Sequence, residues 1–330
     1  MSTVLDQSFQ LGVESTYGTA VAMSRAYEAQ GDGFKLEQED LPSIGMRPGM
    51  QGEFSDRQKT ITMGAGGTLD FDVLNEGFGL LLQAMFGTST GPTQQAATAA
   101  YKSTHTTATD DPDTSYTTQI QRVDIGGTLR SFTQPGSVIT GWRLSHTVPG
   151  LLVASIDFDA QTQVTSEAAG SAVTPTGATT YDWTQCAVTI DSGGGAAAYC
   201  VESVELTADL SMKTDRRLMC AASGGLKEQP KRNGVPSFTG VLNGEFEDLT
   251  EYALFTAGTI CDIVITWTGA EIESPYNYEL KLTLPSCKFT GDTPEASLDE
   301  ITKQPLPFKA LWDGTNALAT CEYTSTDTAL

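Results

Sequence analysis

The side chains of this 330-residue sequence that can do chemistry are two histidines, six cysteines and scattered carboxylates. A histidine works as a general base only with a nucleophile in hydrogen-bond reach. His105 falls in a Thr/Ser/Ala-rich stretch and His146 beside the turn Val148-Pro149-Gly150, neither with such a partner, so both read as inert loop histidines. The cysteines, at 186, 200, 220, 261, 287 and 321, are never closer than 14 residues, which leaves no Cys-x-x-Cys pair and no zinc spacing. Gly64-Ala65-Gly66-Gly67 lacks the Gly-Lys-Ser/Thr ending of a phosphate loop and precedes a strand instead of a helix. Asp110-Asp111-Pro112-Asp113 has neither the glycine turn nor the closing Glu of a calcium loop. Carboxylates facing each other across a sheet can mimic a glycosidase pair, but here they are too many and too regular to single out two. No catalytic residue, cofactor or metal is expected.

The carboxylates matter as a set. Asp70, Asp72, Asp157, Asp159, Glu205, Asp209, Glu245 and Glu247 all fall on the polar faces of predicted strands. An ordinary solvent face of a β-sandwich mixes both signs to limit self-repulsion. A face of one sign also suits the wall of a channel that carries a polyanion. With a Debye length of about 8 Å at physiological salt, its repulsion acts only near the wall. The whole chain leans the same way, with a formal charge of -22 from 41 acids and 19 bases. Such a surface repels nucleic acid and anionic membrane, so specific DNA binding is not expected.

The bases are concentrated. Lys213, Arg216, Arg217, Lys227, Lys231 and Arg232 lie in one loop with only Asp215 and Glu228 against them, and this is six of the 19. The corresponding loop of the first half carries Arg47, Arg57 and Lys59. A solvated basic loop and a nucleic-acid contact are two readings. Docking onto an acidic neighbour is the preferred third.

Strands must position these residues. Leu69, Phe71 and Val73 alternate with Thr68, Asp70 and Asp72, and a helix over 75–86 follows, capped by Asn75 and closed by Gly87. Val138, Thr140, Trp142 and Leu144 share one strand face; Leu152, Ala154, Ile156 and Phe158 share another. The pattern restarts with Val204, Leu206, Ala208, Leu210 and Met212, then with Leu242 to Phe246. A helix over 248–257 follows, with Asp248 and Glu251 as a capping box. Further strands are expected at 260–268, 278–289, 306–312 and 319–323. Residues 88–117 read as a long exposed loop. The chain therefore divides into an irregular arm (1–33), a first β module (34–165), a flexible connection (166–200) and a second β module (201–330). Charged residues at 18% against 39% hydrophobic, with 33 glycines, suit an all-β fold and not disorder. Met1 to Gln10 lacks the basic and apolar regions of a signal peptide, and the cysteine usage is intracellular.

The segment Gly12-Val13-Glu14-Ser15-Thr16-Tyr17-Gly18-Thr19-Ala20-Val21 resembles the opening of tail tube proteins of long, non-contractile phage tails. The strand-to-helix unit from Gly67 to Gly87, the segment from Val204 to Gly258 and the closing strands are similar to that family's layout. The resemblance implies tandem β-sandwich or half-barrel modules, each with a short helix bracing the outside, joining between subunits into one continuous β-barrel tube. It also implies a structural virion protein that forms stacked rings and conducts DNA into the host. The eight acids then line the lumen, while loops 42–60 and 213–237, supported by the N-terminal arm, reach the adjacent ring. The implied partners are further copies of the chain, a tape measure protein, a tail terminator, tail-tip proteins and passing double-stranded DNA, without membrane. Assembly is expected in the host bacterial cytoplasm and residence in the virion tail. Family members usually carry one module per chain and six chains per ring; two modules here favour three chains, with six also open. The rival reading is a monomeric virion decoration or carbohydrate-binding β-sandwich.

Overall fold

Alternating apolar and polar residues with frequent glycine produce a protein that is 51% strand and 7% helix, as a computed structural model gives it. The structure describes residues 6–43, 45, 48–111, 114–172, 174–219, 224–291, 293–294, 298 and 301–330. In chain order the strands begin with β1 (Ser8–Val13), β2 (Arg25–Tyr27), β3 (Lys35–Pro42) and β4 (Gln58–Asp72). After helix α1 (Gly79–Phe86) come β5 (Gly87–Gln94), β6 (Tyr101–Thr107), β7 (Tyr116–Val123), β8 (Leu129–Thr147) and β9 (Val153–Ala160). Next are β10 (Cys186–Asp191), β11 (Ala197–Tyr199), β12 (Ser203–Asp209), β13 (Met212–Lys213), β14 (Lys231–Arg232) and β15 (Ser237–Glu245). Helix α2 (Thr250–Ala257) precedes β16 (Ile260–Glu273), β17 (Tyr276–Phe289), β18 (Lys303–Ala310) and β19 (Thr320–Ser325).

One antiparallel sheet runs β3–β4–β9–β8–β12–β15–β18. A second runs β11–β10–β16–β17–β19–β6–β5, and the two meet where the end of β17 pairs with β18. The inner faces close over one apolar core that includes Phe71, Trp142, Ile156, Leu206 and Phe308 from the first sheet. Ile265, Trp267, Leu282 and Tyr323 come to it from the second. Each half of the chain contributes to both sheets, through the seams β8·β12 and β19·β6.

Several expectations need correction. Residues 88–117 do not form one loop: β5, rich in Thr, Ser and Gly, and β6, in which Ser and Thr mix with Tyr, Lys and His, lie within them, and the buried face of β6 holds Ser103 and His105. Within the arm 1–33 two strands form, because β1 pairs with β2 and β7 and buries Phe9 and Leu11. Within 166–200 the strands β10 and β11 form on the second sheet. Helix α1 starts at Gly79, and Asn75 instead accepts a backbone hydrogen bond from Thr179 N at 2.7 Å. α1 packs into the core of the subunit: Gly79, Leu80, Leu81, Leu82, Met85 and Phe86 are all buried, and Trp142 Nε1 donates to Met85 O at 2.9 Å. α2 has no buried residue, and Asp248 accepts from Thr250 N without a capping box.

β8 belongs to two sheets. Its first part pairs with β7, its later part with β9 and β12, and the chain turns between them at Pro135-Gly136, where Gly136 has φ +70°. Glu14, from the N-terminal motif, holds this corner. Its carboxylate accepts from Gly136 N at 2.8 Å, Thr117 Oγ1 at 2.7 Å, Ser115 Oγ at 2.6 Å and Gly18 N at 3.0 Å. A buried carboxylate with four donors is satisfied by hydrogen bonds alone. Glu14→Ala leaves those donors buried and unmet, and is expected to cost about 3 kcal/mol in urea unfolding. An unchanged midpoint would show that the corner stands without it.

Both histidines lie inside the core instead of in loops. His146 Nδ1 accepts from Trp267 Nε1 at 2.9 Å, so the proton sits on Nε2, which faces Gly150 O at 3.2 Å. His105 contacts Ser103 Oγ at 2.9 Å through Nε2. Burial pushes His105 down to about 4 and lowers His146 as well. Each is held neutral in the fold, while the unfolded chain protonates near ~6.5. Their contribution to stability is therefore complete above about pH 6.5 and is lost as pH falls below it, for His105 as pH approaches 4. For His105 the loss is about 3 kcal/mol. His105→Gln is expected to show a flatter decline in urea midpoint between pH 7 and pH 4 than the unaltered chain; equal slopes would contradict the assignment.

Candidate functional site

Strand alternation carries the acids to one side of one sheet. On β4, Leu69 and Phe71 are buried while Asp70 and Asp72 face outward; on β9, Ile156 and Phe158 are buried while Asp157 faces outward and Asp159, on the same side, is covered by Lys227. Glu205 and Asp209 on β12 and Glu245 at the end of β15 take the same side, opposite Leu206 and Leu242. The register lines them up across the strands. One row runs Thr68, Asp157, Gly141, Asp209 and Ser237, and the next runs Asp70, Ser155, Arg143, Thr207, Thr239 and Lys309. A third runs Asp72, Val153, Ser145, Glu205, Val241 and Pro307. Glu247 lies exposed beyond β15 and outside this ladder.

Hydroxyl groups orient the carboxylates. Thr68 Oγ1 donates to Asp157 Oδ1 at 2.5 Å, and Ser155 Oγ donates to Asp70. The sequence reading passed over three bases on this face. Arg143 Nη2 reaches Glu205 Oε2 at 2.8 Å, Lys303 Nζ reaches Glu202 Oε2 at 2.7 Å, and Lys309 stands opposite Thr239. The signal was present: Arg143 lies between the buried Trp142 and Leu144, and Lys309 between the buried Phe308 and Ala310. The face thus presents oriented, mostly acidic side chains with no nucleophile–base pair. Among the described residues no group of three or more metal-ligating side chains gathers, and no helix is long and apolar enough to cross a membrane.

The basic residues fall in two neighbouring places. β3 and the start of β4 form a ribbon exposed on both sides, with Lys59 in it and Arg57 just before it, its guanidinium 5.0 Å from the Phe54 ring centre. Arg47 lies outside the described residues. The second group sits in the insertion between β12 and β15, and mostly in contacts within the chain. Arg216 Nη1 donates to Gln229 O at 2.5 Å and Arg217 Nη2 to Met63 O at 3.1 Å. Arg232 Nη1 donates to Ala108 O at 3.1 Å, and Lys231 lies 3.7 Å from Asp111. Lys213 is 4.0 Å from Asp215. Lys227 is 3% exposed and donates to Asp159 Oδ1 at 2.5 Å. The sequence showed where the bases are but not that the fold itself engages them.

Among the cysteines, Cys261 and Cys287 face each other across β16 and β17, both buried, and Cys321 is buried in β19. Burial pushes the Cys261 thiol up to about 11, which keeps it protonated and unreactive. Cys220 lies outside the described residues. Among the described residues, neither the thiols nor the histidines stand on the acidic face.

Comparison with curated proteins gives no match. Comparison with protein families gives one whose description is phage tail tube protein, matching residues 5–310. That span takes in β1 through β18, including the whole acidic face and both basic regions. The mainly β fold agrees with it, the family is a structural one, and a place in the virion tail follows. The chain belongs to the phage tail tube protein family.

Proposed function

We propose that this chain forms rings that stack into the tail tube, with the acidic face turned to the channel through which DNA leaves the virion. The observation that carries the reading is the gathering of Asp70, Asp72, Asp157, Asp159, Glu205, Asp209 and Glu245 on one face of one continuous sheet. Phosphates passing such a wall are repelled over about a Debye length, so the duplex stays centred and does not adhere. The wall needs no chemical group, only sign and continuity.

The seam between β8 and β12 supports two tandem modules. There the first half's strands β3–β4–β9–β8 continue into the second half's β12–β15–β18 through seven residue pairs, from Ser203↔Thr147 to Asp209↔Gly141. This join within one chain is of the kind the reading requires between chains, where pairing would remove free sheet edges. Three two-module chains per ring follow most simply; six is the other closure. The exposed ribbon of β3 and β4, with Arg57 and Lys59, is suited to reach an acidic neighbour in the next ring. Partners are further copies of the chain, a tape measure protein, a terminator and tail-tip proteins, with assembly in the host cytoplasm.

Replacing Asp70, Asp209 and Glu245 together by Lys should leave the core intact, because none of the three is buried. DNA release from virions carrying this variant is expected to slow by about tenfold or more at low salt and to recover at high salt. Release at the unaltered rate and independent of salt, with tubes present, would reject a lumenal position for this face.

A further inference from the structure

We propose that residues 214–219 and 224–230 act as a releasable strap, latched across the end of the acidic face by Lys227 and freed when a second copy of the chain docks there. The docking half of this proposal rests on the tube reading; the latch does not. The latch joins the two halves of the chain. Lys227, from the second half, donates to Asp159 Oδ1 on β9, and its own carbonyl accepts from Gln161 Nε2 at 2.8 Å. Its ammonium lies over Gly64 of β4, where an added Cβ would stand 2.9 Å from Nζ and 3.5 Å from Glu37 Oε2. A glycine at this position leaves the room the lysine occupies. The arginine bonds to Met63 O and Gln229 O, with Glu228 N donating to Arg216 O at 2.9 Å, complete the attachment.

Every one of these contacts is polar, and the set is incompletely satisfied. Asp159 Oδ2 and Tyr17 Oη are buried without a hydrogen-bond partner among the described residues. Burial raises the Asp159 carboxyl, with Glu37 adding to the shift and Lys227 opposing it. A buried ion pair gains little over solvated charges but collapses when one partner is lost, which suits a catch better than a foundation. The strap also carries Leu218 at 62% and Met219 at 109% exposure, apolar side chains that the core does not take. Bases flanking exposed apolar residues complement the surface of a second copy, whose formal charge is -22. Once the strap is released, its arginines and Lys227 are available to that surface.

Limited trypsin digestion of the free chain tests the latch without any tube. Asp159→Asn leaves the Lys227 charge buried and unpaired, so cleavage after Arg216 and Arg217 is expected to rise by about a hundredfold. Cleavage after Lys281, within paired β17, should stay unchanged. Lys227→Met, which removes the catch from the other side, should expose the same two sites. No rise in either variant, or an equal rise at Lys281, would overturn the latch and leave a plain structural brace. In polymerisation assays Asp159→Asn is expected to shorten the lag before tubes appear. Faster strap cleavage with an unchanged lag would overturn the docking step and leave the tube reading standing.

Discussion

A β-strand sends successive side chains to opposite faces, and the acidic wall depends on that constraint. Asp70 faces out only because Leu69 and Phe71 are held in, and the same holds for Asp157 between Ile156 and Phe158 and for Glu205 between Val204 and Leu206. A slip of one residue in any ladder would bury the carboxylates and expose the core. Like charges along one face repel, so the register must be held from behind. Phe71, Trp142, Leu144, Ile156, Leu206 and Leu242 supply that grip from the inner face. Hydroxyls from Thr68 and Ser155, and the guanidinium of Arg143, steady the outer face without changing its sign.

β8 connects this wall to the rest of the molecule. It leaves the β2–β1–β7 sheet at Gly136, passes between β9 and β12, and near its end carries His146 against Trp267 of the second sheet. The N-terminal motif secures the point of departure through Glu14, and the His146–Trp267 bond secures the arrival. A segment that reads as an arm and a histidine that reads as a loop residue are therefore both supports for the longest strand. That they lie far apart in the chain is why local pattern did not reveal their roles.

The strands of the wall were legible in the sequence because each carries a clean period of two, and so the acids could be assigned to one class of face. Seven of the eight then proved to share a single sheet; Glu247 did not, because β15 ends at Glu245. What alternation cannot report is partnership between distant elements. The seam β8·β12, the burial of most of α1 and the pairing of Lys227 with Asp159 each depend on tertiary approach. Residues 88–117 misled for a different reason. β5 and β6 are built mostly from Thr and Ser, and their strand character comes from pairing, β6 with β19 and β5 with β6, and not from an apolar face.

Electron microscopy of the purified chain, with averages viewed down the axis of any filament, tests the central claim most directly. The account predicts hollow tubes of stacked rings with threefold averages, the first sheet of each chain lining the channel and its carboxylates pointing inward. Tubes with that face outward would contradict the conduit. Discrete single subunits at every concentration, even with tail-tip proteins present to start assembly, would contradict the tube itself.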